Sequence, residues 1–108
     1  MGGLKRLKEC NPGNLASLLS ESEPLLLHFG TDWCTPCKRL ERVLLELSDT
    51  LEARVAKVNV EDHPEIAKQF SVTKNPTLCL VNEGDVAGRH EGFLEPEGVL
   101  AFVRRHAD

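Results

Sequence analysis

The chain has no Tyr, one Trp and four Phe. So few rings give no stacking platform for bases. Basic residues are outnumbered as well: 13 Lys and Arg stand against 17 Asp and Glu, a formal net charge of −4. General nucleic-acid binding needs basic patches to meet phosphates, so no nucleic-acid partner is expected. No apolar run approaches the ~20 residues that cross a bilayer, and no membrane partner is expected. The N-terminus, Met1-Gly2-Gly3-Leu4-Lys5-Arg6-Leu7-Lys8, is basic without an apolar segment behind it, which is not the pattern of a secretory signal. Gly2 does not make a myristoylation site, because Arg6 stands where Ser or Thr is wanted. Also missing are a Gly-rich phosphate loop, paired carboxylates at catalytic spacing, internal repeats and low-complexity linkers. A reducing cytoplasm is the expected setting.

What is present suits one small soluble unit. A chain of 108 residues reads as a single domain, 1–108, expected to be a monomer. At this size it buries roughly two thirds of its unfolded surface, enough for a core without staples.

The chain is organised around Trp33-Cys34-Thr35-Pro36-Cys37-Lys38. Two cysteines separated by two residues can close a disulfide, release it, or supply half of a metal site. An apolar run, Leu25-Leu26-Leu27-His28-Phe29-Gly30, precedes the pair, and an amphipathic stretch, Lys38 to Leu51, follows it. That reads as strand, loop, then a helix beginning at the first cysteine, and points to dithiol chemistry. Cys10 and Cys79 look solitary and are expected to act as small hydrophobes.

In chain order, Leu4 to Lys8 forms a first strand. Asn11-Pro12-Gly13 opens a helix, with Asn11 as cap and Pro12 in the first turn, and Leu15, Leu18 and Leu19 on its apolar face. Leu25 to Phe29, apolar without alternation, is a central strand covered on both faces. In the long helix Leu40, Val43, Leu44, Leu47 and Leu51 share one face, while Arg39, Arg42 and Glu46 meet water. Ala53 to Val60 is a strand, and Asp62-His63-Pro64-Glu65 opens a short helix ending near Phe70. Thr77 to Val81 and Val86 to Glu91 form a hairpin around Asn82-Glu83-Gly84-Asp85. Glu95-Pro96-Glu97 begins the last helix. The order β-α-β-α-β-α-β-β-α makes the first three strands parallel and the last pair antiparallel. His63, His90 and His106 read as surface residues.

With these elements placed, the chain resembles thioredoxins over nearly its full length. The likeness rests on Trp33-Cys34-Thr35-Pro36-Cys37-Lys38 after a strand, Lys57 on the next strand, Asn75-Pro76-Thr77 opening the hairpin, and Gly92 after it. The resemblance implies an α/β thioredoxin fold: a five-stranded mixed sheet in the order 1-3-2-4-5, flanked by four helices. It also implies a cis Asn75-Pro76 bond facing the cysteines. The chain departs from the family pattern at Thr35 (usually Gly), Gly30 (usually Trp), Arg42 (usually a kinking Pro) and Asn75 (usually β-branched and apolar). His28 replaces the family's buried acid.

The implied activity is protein-disulfide reduction by a Cys34–Cys37 dithiol, with no other cofactor. Cys34, at a helix N-terminus, is the expected nucleophile, because that position favours a thiolate. Cys37 resolves the mixed disulfide, and His28 either accepts its proton or is a satisfied core histidine that does no chemistry. Lys57 is either a surface lysine or lies under the site near His28. Trp33, Thr35 and Pro36 form the rim. Asn75, Pro76, Thr77 and Gly92 receive an extended client segment. The implied partners are client proteins with disulfides and an unidentified thiol reductase as electron donor. Two other classes compete: a thioredoxin-like chaperone or assembly factor with incidental cysteines, and a metal protein in which Cys79 or His28 converges on the pair.

Overall fold

A computed structural model of the chain describes residues 6–107. Among them, strands β1 (Lys8–Glu9), β2 (Leu25–Gly30), β3 (Arg54–Asn59), β4 (Thr77–Asn82) and β5 (Asp85–Glu91) form one sheet in the order β1-β3-β2-β4-β5. Helices α1 (Leu15–Ser20), α2 (Thr35–Leu47), α3 (Pro64–Gln69) and α4 (Pro96–His106) connect and cover it. β1 and β2 run parallel to β3, while β4 is antiparallel to β2 and β5. This is the mixed sheet that the resemblance implied.

All six residues of β2 are buried, which explains its lack of alternation. Successive side chains still point to opposite faces. Leu25, Leu27 and Phe29 enter the layer containing Leu15, Leu18, Ile66 and Phe70 of α1 and the α3 segment. Leu26 enters the other layer, with Leu40 and Leu44 of α2 and Val99 and Val103 of α4. His28 and Gly30 have the parity of Leu26, so they lie beneath α2.

Several boundaries differ from the sequence reading. The strand expected over Leu4–Lys8 falls partly outside the described residues, and pairing is seen at Lys8 and Glu9. The helix expected from Asn11 begins four residues later, at Leu15. The Asn11 side-chain oxygen accepts from the N–H groups of Gly13 (2.8 Å) and Asn14 (3.0 Å), folding Asn11–Asn14 into a turn. A short Asn side chain competes with the helix in this way. α2 ends at Leu47, and Leu51 is buried beyond that end. Glu83 (φ 53°) and Gly84 (φ 85°) form the two-residue turn, so β5 starts at Asp85. His106 is not a plain surface residue. Its ring packs edge-on to Phe102 at 4.9 Å and covers Gly88, where a Cβ would lie 2.3 Å from it.

Leu26 is fully buried between β2 and α2. Leu26→Ala should lower unfolding stability by ~2–5 kcal/mol through lost burial and a residual cavity. The check is a drop in the urea midpoint with an unchanged slope.

Candidate active site

β2 ends at Gly30, and four residues later the chain enters α2 through Cys34. Cys34 is the N-cap, in an extended conformation (φ −87°, ψ 112°). Its Sγ accepts a hydrogen bond from the Cys37 N–H at 3.3 Å. Pro36 sits in the first turn, where its missing N–H costs no helical bond. Cys34 and Cys37 are joined as a disulfide, with Cα atoms 5.2 Å apart. Cys34 keeps 8% of its surface in water and Cys37 only 1%, so approach from outside favours Cys34. Trp33 stands beside it, 68% exposed, and Thr35 and Pro36 are exposed too. Free N–H groups and the helix dipole stabilise an anion at this position.

Behind the pair, Gly30 permits a close approach. A Cβ at Gly30 would lie 2.9 Å from Cys37 Sγ, 3.0 Å from Cys37 Cβ and 3.1 Å from His28 Cε1. The Cys37 side chain and the imidazole therefore both crowd the space above the same glycine. His28 is buried, and its Nε2 has no protein partner among the described residues. Burial lowers its pKa from 6.5 to about 4; Glu41 and hydrogen bonding to the Cys37 backbone work against that fall, and Lys57 adds to it. Neutral imidazole is thus the resting form near pH 7.

β2 and β3 bring His28 and Lys57 side by side in register. Lys57 is not a free surface lysine: its Nζ donates to Glu41 Oε2 at 3.1 Å. Glu41 lies one turn after Cys37 on α2 and was not among the residues singled out by motif. Its signal was the i, i+4 spacing from Cys37, which puts both on the sheet-facing side. His28, Gly30, Thr31, Glu41 and Lys57 line a polar cavity of about 290 Å³ that opens past Glu9, Asp32 and Asp62. A larger cleft, about 400 Å³, lies at the other end of β2, around Pro24, Leu51, Leu100 and Val103, away from this chemistry.

The Asn75-Pro76 peptide is cis. Phe29 pairs with Thr77, so the cis peptide lies directly beyond the last paired residues of β2 and β4. The Gly92 N–H donates to the Pro76 carbonyl at 2.8 Å. Gly92 itself has φ 102°, a conformation that favours glycine, with open space where a Cβ would sit. Thr77 is fully buried, and its hydroxyl donates to Lys74 O at 2.7 Å, so its side chain is turned inward. Of the three hairpin-entry residues, Asn75 is the exposed one. Among the described residues no group of three or more His, Cys, Asp or Glu is placed to hold a metal. Cys10 and Cys79 are buried in the opposite layer, where burial raises both thiol pKa values.

A family model described as Thioredoxin matches residues 7–105. A thioredoxin of Haemophilus influenzae is 33% identical over 99 residues, covering 89% of this chain and 92% of that one. A thioredoxin of Mycobacterium tuberculosis is 36% identical over 93 residues, covering 84% and 78%. Among solved structures, a mutant thioredoxin from Halobacterium salinarum superposes with a TM-score of 0.86 at 26% identity, covering 94% of this chain and 90% of that chain. Oxidised mitochondrial thioredoxin 3 from Saccharomyces cerevisiae gives 0.82 at 27% identity, covering 92% and 94%.

Two outcomes follow from the packing. Between pH 6.5 and about 4 the unfolded chain binds a proton at His28 that the folded protein refuses. Stability should therefore fall as pH is lowered through that window, by about 1.4 kcal/mol per unit, and this residue should add no slope outside it. Urea midpoints measured against pH should show that slope in the wild type and lack it in His28→Gln. Gly30→Ala should displace Cys37 and cost ~1–3 kcal/mol by overpacking. Its dithiol should also close more slowly than that of wild type in a stopped-flow oxidation.

Proposed function

The chain belongs to the thioredoxin family, and on that premise we propose a division of labour in which Cys34 attacks, Cys37 resolves and His28 takes the proton. The protein is a thiol–disulfide oxidoreductase whose redox group is the Cys34–Cys37 pair. Its family reduces disulfides in client proteins. In the proposed cycle the Cys34 thiolate attacks one sulfur of a client disulfide and releases the other as a thiolate. Cys37 then gives its proton to His28 and attacks Cys34 Sγ. The intermolecular bond breaks, the Cys34–Cys37 disulfide forms, and the client leaves with two electrons and, after protonation, two thiols.

The observation that carries this reading is the Cys37 N–H held on Cys34 Sγ at 3.3 Å, with the second thiol buried behind it. His28 offers a neutral imidazole with an Nε2 acceptor unpartnered among the described residues, a weak base whose protonation needs a counter-charge nearby. On the outer surface, Trp33, Thr35 and Pro36 form the rim against which a client lies. The exposed backbone of Asn75 pairs with an extended client segment in the manner of an added strand. Pro76 and Gly92 fix that backbone from behind. Lys57 serves the site through its contact with Glu41. The reading takes residues 1–108 as one working domain, a monomer in a reducing cytoplasm, recharged by a thiol reductase. The two buried cysteines kept as free thiols favour that compartment.

Reduced protein should lose the Cys34 thiol to iodoacetamide near neutral pH well before Cys10, Cys37 or Cys79, as read by peptide mass mapping. Cys34→Ser should abolish disulfide reduction, and Cys37→Ser should accumulate mixed disulfides at Cys34. First reaction at Cys10 or Cys79 in the folded protein would sink this assignment.

A further inference from the structure

His28 is a poor base in isolation. Deep burial holds its imidazole neutral, so a proton arriving from Cys37 creates a cation in a place that disfavours cations. Something nearby must offset that charge while the resolving attack occurs. The groups that face His28 are few. Cys37 and Glu41 come from α2, Lys57 from β3, and Glu9, Asp32 and Asp62 stand at the cavity mouth. β4 contributes only Leu78 opposite His28. Glu9, Asp32 and Asp62 are exposed, and solvent screens them. Glu41 is about a quarter exposed and contacts Lys57 at 3.1 Å.

We propose that Glu41 is a positioning residue for the resolving step: set over the cavity by its place on α2, its carboxylate stabilises the imidazolium that His28 becomes on taking the proton of Cys37. This rests on the reading of His28 as the base. The geometry behind it is a four-cornered arrangement. Cys37 and Glu41 are one turn apart on α2, and His28 and Lys57 are register partners on β2 and β3 beneath them. The negative charge that serves the buried thiol thus comes from the helix instead of the strand. Glu41 favours a positive charge on His28 and Lys57 opposes it, and because the helix backbone sets the place of Glu41, loss of Lys57 leaves the carboxylate over the cavity. In the step itself the proton moves from Cys37 Sγ to His28, the Cys37–Cys34 bond forms, the Cys34–client bond breaks, and the client thiolate carries off the electron pair. The imidazolium then returns its proton to the departing thiolate or to water in the cavity mouth.

The opposed signs give a test that a purely structural ion pair fails. Glu41→Gln and Lys57→Met remove the same contact, so a structural role moves both variants the same way. The proposal moves them apart. Both side chains are partly exposed, so both variants should fold. Reduced protein is mixed with a small aromatic disulfide whose released thiolate absorbs light. Attack by Cys34 gives one burst and resolution by Cys37 a second. Imidazole protonation is followed separately by NMR. Glu41→Gln should lower the His28 midpoint by about one unit and slow the second burst roughly three- to tenfold. Lys57→Met should raise the midpoint and speed that burst. In a His28→Gln background, Glu41→Gln should add nothing. If His28→Gln leaves the second burst at the wild-type rate, the base assignment falls and this inference with it. If His28→Gln slows it but the two charge variants move together, or neither moves, Glu41 is a structural partner of Lys57 and the inference alone is overturned.

Discussion

The first turn of α2 lies on the end of β2 with no side chain at Gly30 to hold it off, and the rest of the site follows from that contact. A Cβ at Gly30 would press on both Cys37 and His28. Without one, the helix sits low enough to bury the resolving sulfur while its N-terminus still presents Cys34 to the outside. Depth separates the two chemically identical thiols. One is reached from solvent, and the other is reached only by its neighbour. The helix terminus supplies the fixed dipoles, and the sheet supplies the wall against which they act.

That low seat has an electrostatic price, visible in His28. A polar ring in a strand covered on both faces is costly unless it stays neutral or finds a counter-charge. The register of β2 on β3 brings in Lys57, which has the wrong sign for an imidazolium. Helical spacing on α2 brings in Glu41, which has the right one. The ion pair between them is only partly buried, and such a pair adds little to stability. Its interest lies in where it places a carboxylate. The same sheet thus works by packing in its lower half, around Leu26, Leu40 and Val99, and by charge in its upper half.

Much of the fold was legible in the sequence because the burial pattern was extreme. The unbroken apolar run Leu25–Phe29 could only be a central strand, and Asn82 to Asp85 could hardly be other than a hairpin turn. Local competition was harder to read. Asn11 had two uses for its side chain, capping a helix or folding its own turn, and the sequence does not rank them. In the site, residues that belong to a motif were visible. Glu41 was not, because a glutamate on an amphipathic helix looks like solvated surface until the neighbouring strand is known to carry a lysine at the matching height. Gly30 read as a missing tryptophan and proved to be the space in which two side chains meet.

The sheet also divides the sulfur of this molecule into two populations. Cys34 and Cys37 lie on the side covered by α2, whereas Cys10 and Cys79 lie in the layer beyond, shut among Leu27, Ala56 and Val58. A protein that repeatedly makes and breaks sulfur bonds is exposed, at every turn, to the oxidised partners it handles. Spare thiols within reach of those partners would collect them and end the cycle in a dead adduct. Here the five strands act as a bulkhead. The inner pair of thiols is sealed off by packing as well as by distance, so their loss to oxidation requires the chain to open first. Loss through these two thiols is then set by the opening rate of the core, a quantity governed by buried leucines remote from the reacting pair.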